Sequence, residues 1–159
     1  MKGDNKAEGM LSPYRVLDLT DEKGLLCGKL LGDLGADVIK IEKPGGDQAR
    51  SIGPFYHDEP DPEKSLFWFA FNTSKRGITL DIETTDGREI FKKLVKTADF
   101  VIESFAPGYL DSLGLGYSYL EQINPQIIMV SHERELESFA DQIFQITKFG
   151  GVSQISLMK

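Results

Sequence analysis

The stretch from Arg15 to Arg50, RVLDLTDEKGLLCGKLLGDLGADVIKIEKPGGDQAR, constrains the fold more than any other part of the chain. Val16, Leu17 and Leu19 form a short apolar run closed by Thr20 and Asp21. Leu25, Leu26, Leu30, Leu31 and Leu34 then recur at helical spacing and predict an amphipathic helix. Gly35 stands where a C-cap glycine ends such a helix. Val38, Ile39 and Ile41 predict a second buried strand, stopped by Pro44-Gly45-Gly46. Two apolar strands joined by a helix make a βαβ unit, whose crossover is right-handed in about 98% of cases. Sheets of such units hold ligands beyond the carboxyl ends of their strands. Here those ends carry Thr20 to Gly24 and Lys43 to Arg50.

The rest of the chain repeats the alternation. Residues 43–64 contain Pro44, Pro54, Pro60 and Pro62 and predict a long surface loop. Within it the acidic run HDEPDPE is a solvated segment. The aromatic-rich SLFWFAF from Ser65 to Phe71 predicts a short packed helix. Asn72 to Gly77 is a polar turn, and Ile78 to Ile82 a third strand. Thr84 or Thr85 caps a helix running to about Thr97, with Ile90, Phe91, Leu94 and Val95 on its apolar face. Strands are predicted again at 100–102 and 127–130, with short helices at 107–113 and 117–123 between them. The pattern predicts an α/β fold: a Rossmann-like, open, mostly parallel sheet with flanking helices. Residues 1–11 are expected to be a disordered N-terminus, 12–131 the Rossmann-like domain, and 132–159 a divergent, helical C-terminal segment.

Composition narrows the function classes. A length of 159 residues suits one domain, and 40% apolar residues are enough for a core. The net charge of -7 gives no electrostatic footprint for nucleic acid. The longest apolar run, around Leu66 to Phe71, is too short to span a bilayer. The polar start MKGDNKAEG has no apolar signal region, so a cytoplasmic location is expected. Cys27 is the single cysteine, which excludes an intrachain disulfide and a CxxC metal site. It is expected to pack on the first helix rather than act as a nucleophile.

A dinucleotide site would need GxGxxG in the first turn. The chain has TDEKGLLCG there, with the wrong glycine spacing and two acids that repel phosphate. Glu42, after the second strand, has the chemistry to bind a ribose hydroxyl, although a strand-end charge in water is the simpler reading. Lys43, Arg50, Lys75 and Arg76 lie in predicted loops next to strands and are the cations available to a phosphate. Read by themselves, Leu80 and Phe105 are core, Lys75 and Arg76 a solvated turn, and Tyr109 a helix-face residue. His132 sits at a strand end, where an acid or base could work, but reads more simply as a surface residue.

VLDLT, DLGADVIKIEKPGGD, NTSKRGITLD, ADFVIESFAPG, LGLGY and NPQIIMVS occur in this order between Ser12 and Ser131. With these motifs the chain resembles the N-terminal part of the family III CoA-transferases. That family includes formyl-CoA transferases, carnitine CoA-transferases and α-methylacyl-CoA racemases. The resemblance implies a CoA-binding enzyme of acyl-CoA metabolism, with coenzyme A or acyl-CoA as substrate and a carboxylic acid as acceptor. It implies no metal and no redox cofactor. It also implies a homodimer, or pairing with a chain carrying the remaining C-terminal part. The binding residues it implies are Glu22, Lys43, Leu80, Ser104, Phe105 and Tyr109, with Lys75 as a further cation. Lys43 follows VIKIE, where a basic side chain meets the nucleotide end of CoA; Leu80 and Phe105 match the lining of the adenine pocket.

The resemblance departs at three places before residue 131. Glu83 stands where many members have Lys, Ser112 where a basic residue can reach a phosphate, and Gly24-Leu25-Leu26 in place of AGP. In the transferases an aspartate carboxylate attacks the thioester, giving a mixed anhydride and CoA thiolate. No residue of this chain matches that aspartate. The sequence therefore reads as an N-terminal part that is inactive alone. The alternatives are a non-catalytic CoA-binding or interaction subunit and an inactive truncated product.

Overall fold

The computed structural model describes residues 9–131, 144–149 and 152–157. Five strands form one sheet: β1 (Arg15–Leu19), β2 (Asp37–Glu42), β3 (Lys75–Thr79), β4 (Phe100–Glu103) and β5 (Ile128–Ser131). Their order is β3-β2-β1-β4-β5, and every pairing is parallel. The helices are α1 (Leu25–Asp33), α2 (Leu66–Asn72), α3 (Thr85–Val95), α4 (Tyr109–Ser112) and α5 (Tyr117–Ile123). The Rossmann-like α/β expectation holds. The chain builds outward from β1 through β2 to β3, then returns to the other side of β1 with β4. The strand order thus reverses beside β1, where open α/β sheets hold ligands.

Strand alternation divides the core between two faces. Leu17, Leu19, Ile39, Ile41 and Val101 pack with Phe91 and Val95 of α3 and with Leu110 and Leu120. Val16, Val38 and Ile102 form a second cluster with Ala36, Leu11 and Leu31. Asp18 and Lys40 are as buried as their apolar neighbours, at 0% and 2% exposure. Asp18 accepts hydrogen bonds from Lys75 Nζ at 2.8 Å, Thr20 Oγ1 at 2.6 Å and Thr20 N at 2.9 Å. Gly28 of α1 crosses this cluster: a Cβ there would lie 2.2 Å from Asp18 Oδ2. Gly35, with φ of 105°, turns the chain out of α1 as expected.

The leucine stripe is corrected. Leu25 is fully buried, but Leu26, Leu30 and Leu34 are 49%, 53% and 45% exposed. The helix approaches the sheet through Leu25 and Gly28, over polar Asp18 and Lys75, so the face carrying Leu26, Leu30 and Leu34 points outward. Cys27 is likewise exposed rather than packed in a core. In α3, Thr84 caps the Gly87 N–H at 3.0 Å, and Phe91 and Val95 are buried while Ile90 is exposed.

The third strand begins earlier than the apolar run Ile78 to Ile82 suggests. It starts at Lys75, inside the expected turn, because Lys75 pairs with Val38 in register and sends its ammonium into the sheet. Arg76, expected in the same turn, lies on β3 and binds Asp37. Leu80 and Ile82 follow the strand and remain core residues, with Leu80 N donating to the Glu42 carbonyl at 2.8 Å.

The C-terminal expectation is also corrected where the structure describes it. Residues Phe144–Phe149 and Val152–Leu157 are strands β6 and β7, paired antiparallel in a separate two-stranded sheet, not helix. Alternation of Phe144 and Ile146 with Gln145 and Thr147, and of Ile155 and Leu157 with Gln154 and Ser156, fits such a hairpin. Residues 132–143, with His132, lie outside the described residues, as do 1–8. Residues 9–11, expected to fray, are held by a Leu11 N bond to the Leu34 carbonyl at 3.0 Å.

Candidate functional site

A cleft of about 610 Å³ opens at the carboxyl ends of β1, β2, β3 and β4. Its walls are the loops that follow these strands, so its position is a consequence of the parallel order.

The β1 loop supplies Thr20, Asp21, Glu22 and Lys23. Asp21 is pinned from below by Ser104: its N–H donates to Ser104 Oγ at 2.7 Å, and that hydroxyl donates to Asp21 Oδ1 at 2.7 Å. Burial works against the Asp21 carboxylate, yet the bonds from Ser104 and the Lys23 N–H, with the Lys23 charge, hold it below its usual range. Ser104 is therefore a buried support, not part of the cleft lining.

The β2 loop is clipped twice. Lys40 Nζ donates to the Thr20 carbonyl and lies 3.3 Å from Asp47, which ties the first loop to the second. Arg50 grips Glu42 with two bonds, Nε to Oε2 at 2.6 Å and Nη2 to Oε1 at 2.9 Å. Its guanidinium also lies 4.1 Å over the Trp68 ring. Burial raises Glu42, but Arg50 and the Asp47 N–H outweigh it and hold the carboxyl low. Glu42 is thus a buried ion-pair partner, not a strand-end charge in water, and Arg50 is committed to it. Lys43 follows in this loop, lines the cleft and is exposed, with no carboxylate partner among the described residues.

The third and fourth walls meet. Leu80, Asp81, Ile82 and Glu83 follow β3, and Phe105 and Tyr109 follow β4. The two rings lie 4.7 Å apart at 38°. Tyr109 OH donates to Glu83 Oε1 at 2.7 Å. Burial first, and then Glu83, push the Tyr109 phenol up to about 12. This bond joins the β3 and β4 loops over the ends of β2 and β1.

Of the residues singled out in the sequence, Glu22, Lys43, Leu80, Phe105 and Tyr109 come together in the cleft. Lys75 does not: its Nζ donates to Asp18, to the Leu25 carbonyl at 2.9 Å and to Asn72 Oδ1 at 3.0 Å. Lys40, Asp47 and Asp81 line the cleft and were not singled out. A lysine inside the apolar run VIKIE was a usable signal for Lys40; nothing local marks Asp47 or Asp81. Among the described residues no group of three or more His, Cys, Asp or Glu side chains could hold a metal ion. The arrangement offers an apolar and aromatic slot beside one unpaired cation, which suits a flat heterocycle carrying phosphate.

The family model described as CoA-transferase family III matches residues 11–134. The chain is 42% identical over 120 residues to succinyl-CoA:(R)-benzylsuccinate CoA-transferase subunit BbsE of Thauera aromatica, covering 76% of this chain and 29% of the relative. It is 42% identical over 124 residues to succinyl-CoA:mesaconate CoA-transferase of Haloarcula hispanica, covering 77% of this chain and 31% of the relative. Among solved structures, a CAIB/BAIF family protein from Brucella suis superposes with a TM-score of 0.70 at 42% identity, covering 78% of this chain and 33% of that one. The chain thus spans about 30% of the length of these relatives. With a family match over most of its length, a shared parallel sheet and a cleft at that sheet's carboxyl ends, the chain belongs to CoA-transferase family III.

Proposed function

We propose that this chain forms the nucleotide-binding part of a CoA-transferase that moves CoA between an acyl-CoA and a carboxylic acid. The observation that carries this reading is the cleft, with Phe105, Tyr109 and Leu80 for a ring and Lys43 for a phosphate. Glu22 lines the same opening, and Ser104 acts behind it through Asp21. The relatives named above are transferases of succinyl-CoA, which supports acyl-CoA and a carboxylic acid as the substrate pair. Neither a metal nor a redox cofactor is needed for thioester exchange through a carboxylate.

In this reading none of the 159 residues is the nucleophilic aspartate, and the assembly works in the cytoplasm. A dimer or a heteromeric pair is supported by the outward leucines of α1 and by a relative named as a subunit. Among the described residues no helix is long and apolar enough to cross a membrane. Isothermal titration of the chain with CoA tests the reading. Binding that is lost in Lys43→Ala and Phe105→Ala, both still folded, supports it. Unchanged affinity in both variants removes the cleft as the CoA site.

A further inference from the structure

Lys40 sits inside the apolar run of β2, opposite Asp18 of β1 in register, and its side chain is 3% exposed. Burying an ammonium is costly unless its protons find acceptors. Lys40 finds them beyond the ends of two strands. One is the Thr20 carbonyl, where the chain leaves β1; the other is the Asp47 carboxylate, 3.3 Å away in the loop after β2. Asp18 adds a second negative charge at 3.8 Å.

Asp47 commits both of its oxygens. Oδ1 accepts from the Ala49 N–H at 2.8 Å, and Oδ2 faces Lys40. The Asp47 N–H donates to Glu42 Oε2 at 3.1 Å, and the Gly46 N–H donates to the Lys43 carbonyl at 2.9 Å. Residues 43–46 are therefore a tight turn tied at both ends, and Lys43 rides on it. Lys40 joins that turn, through Asp47, to the loop after β1. Its ammonium is spent on this clip, whereas Lys43 is exposed and has no carboxylate partner among the described residues.

We infer that Lys40 is a positioning residue for the ligand. Through Asp47 it holds the Lys43 turn at a fixed distance from the Thr20–Glu22 loop, and so sets where the cleft takes a phosphate. This rests on the reading of the cleft as a CoA site. Lys43 meets the phosphate, and Lys40 acts through Asp47 without touching it. The sign of one substitution separates this role from simple charge. If Asp47 were only an acid near the ligand, removing its charge would strengthen the binding of an anion. If it is part of a clip, removing it frees the turn and weakens binding, because a preorganised site is lost.

The test is isothermal titration of the full chain with CoA at low salt, beside a thermal melt of each variant. Asp47→Asn keeps a carbonyl oxygen for the Ala49 N–H but leaves no second acceptor for Lys40. It is expected to bind CoA about tenfold more weakly while still folded. Lys40→Met should weaken binding to a similar extent. Lys43→Ala should cost less in either variant than in the wild type, because residues that act as one unit are not additive. Binding of CoA to Asp47→Asn as tight as to the wild type, or tighter, overturns this proposal and leaves the CoA site standing. A fully additive loss when Lys43→Ala is combined with Lys40→Met does the same. Failure of the wild type to bind CoA overturns the CoA site itself and this proposal with it. Either the sign in Asp47→Asn or the additivity in Lys40→Met decides, so one variant that fails to fold does not protect the idea.

Discussion

Lys75 Nζ lies 2.8 Å from Asp18 Oδ2, and the two side chains are 1% and 0% exposed. The pair joins the start of β3 to the middle of β1 across β2. Burial pulls the Lys75 ammonium down from its usual pKa, and Asp18 opposes that shift. Removing one partner of such a pair leaves a buried charge uncompensated, at about 3–5 kcal/mol. Lys75→Met should fall at the low end, about 3 kcal/mol, because Lys40 Nζ remains 3.8 Å from Asp18. Asp18→Asn combined with Lys75→Met should recover part of the loss. Urea unfolding of the three variants checks this; a Lys75→Met midpoint equal to wild type would count against it.

Lys43 predicts the opposite behaviour. It is exposed and makes no ion pair among the described residues, so Lys43→Ala should leave the melting temperature unchanged. Its CoA affinity should drop, and the drop should be larger at low salt than at high salt. Phe105→Ala should weaken CoA binding with little salt dependence, by about 1–3 kcal/mol if the ring stacks on adenine. Phe105 also packs against the core, so the melt must be read beside the titration.

The Glu42–Arg50 pair sets a pH dependence. Glu42 is held below its usual carboxylate range in the folded chain by Arg50 and the Asp47 N–H, despite burial. A folded pKa below the unfolded one stabilises fully above the unfolded value, near 4.3 for Glu, and the gain disappears as pH falls through the lower folded value. Arg50→Met should therefore be clearly less stable than wild type at pH 7. The difference should shrink progressively below about pH 4. Chemical denaturation across that range is the measurement, and a pH-independent difference would contradict the assignment.

Tyr109 should ionise above the ordinary range of a tyrosine phenol. Absorbance titration at alkaline pH should show one phenol at about 12. Glu83→Gln should bring it down, since the neighbouring carboxylate contributes to the shift after burial. A titration unchanged by Glu83→Gln would show that burial alone sets it.

The sheet was legible because β1, β2, β4 and β5 are short apolar runs that need no distant partner to be recognised. The start of β3 was not, because it depends on Lys75 finding Asp18, 57 residues away in sequence. The same contact explains why Lys75 reads as a loop cation in the sequence yet lies outside the cleft. The leucines of α1 misled for a related reason: helical spacing reports that a stripe exists, not which way the helix is turned. Gly28 and the polar cluster beneath it decide the direction. In the cleft, Lys43, Leu80, Phe105 and Tyr109 were reachable by motif. The bond between Tyr109 and Glu83 was not, since it spans two loops that only the parallel strand order brings together.

Gly28 has a consequence for how this sequence can vary. The space a methyl group would need at position 28 is already filled by the Asp18 carboxylate, at 2.2 Å from the would-be Cβ. Asp18 in turn cannot shorten without abandoning Lys75. A larger residue at position 28 therefore requires the strand, the helix and the far lysine to change together. Positions 18, 28 and 75 should drift as a set, or not at all, wherever this packing is kept.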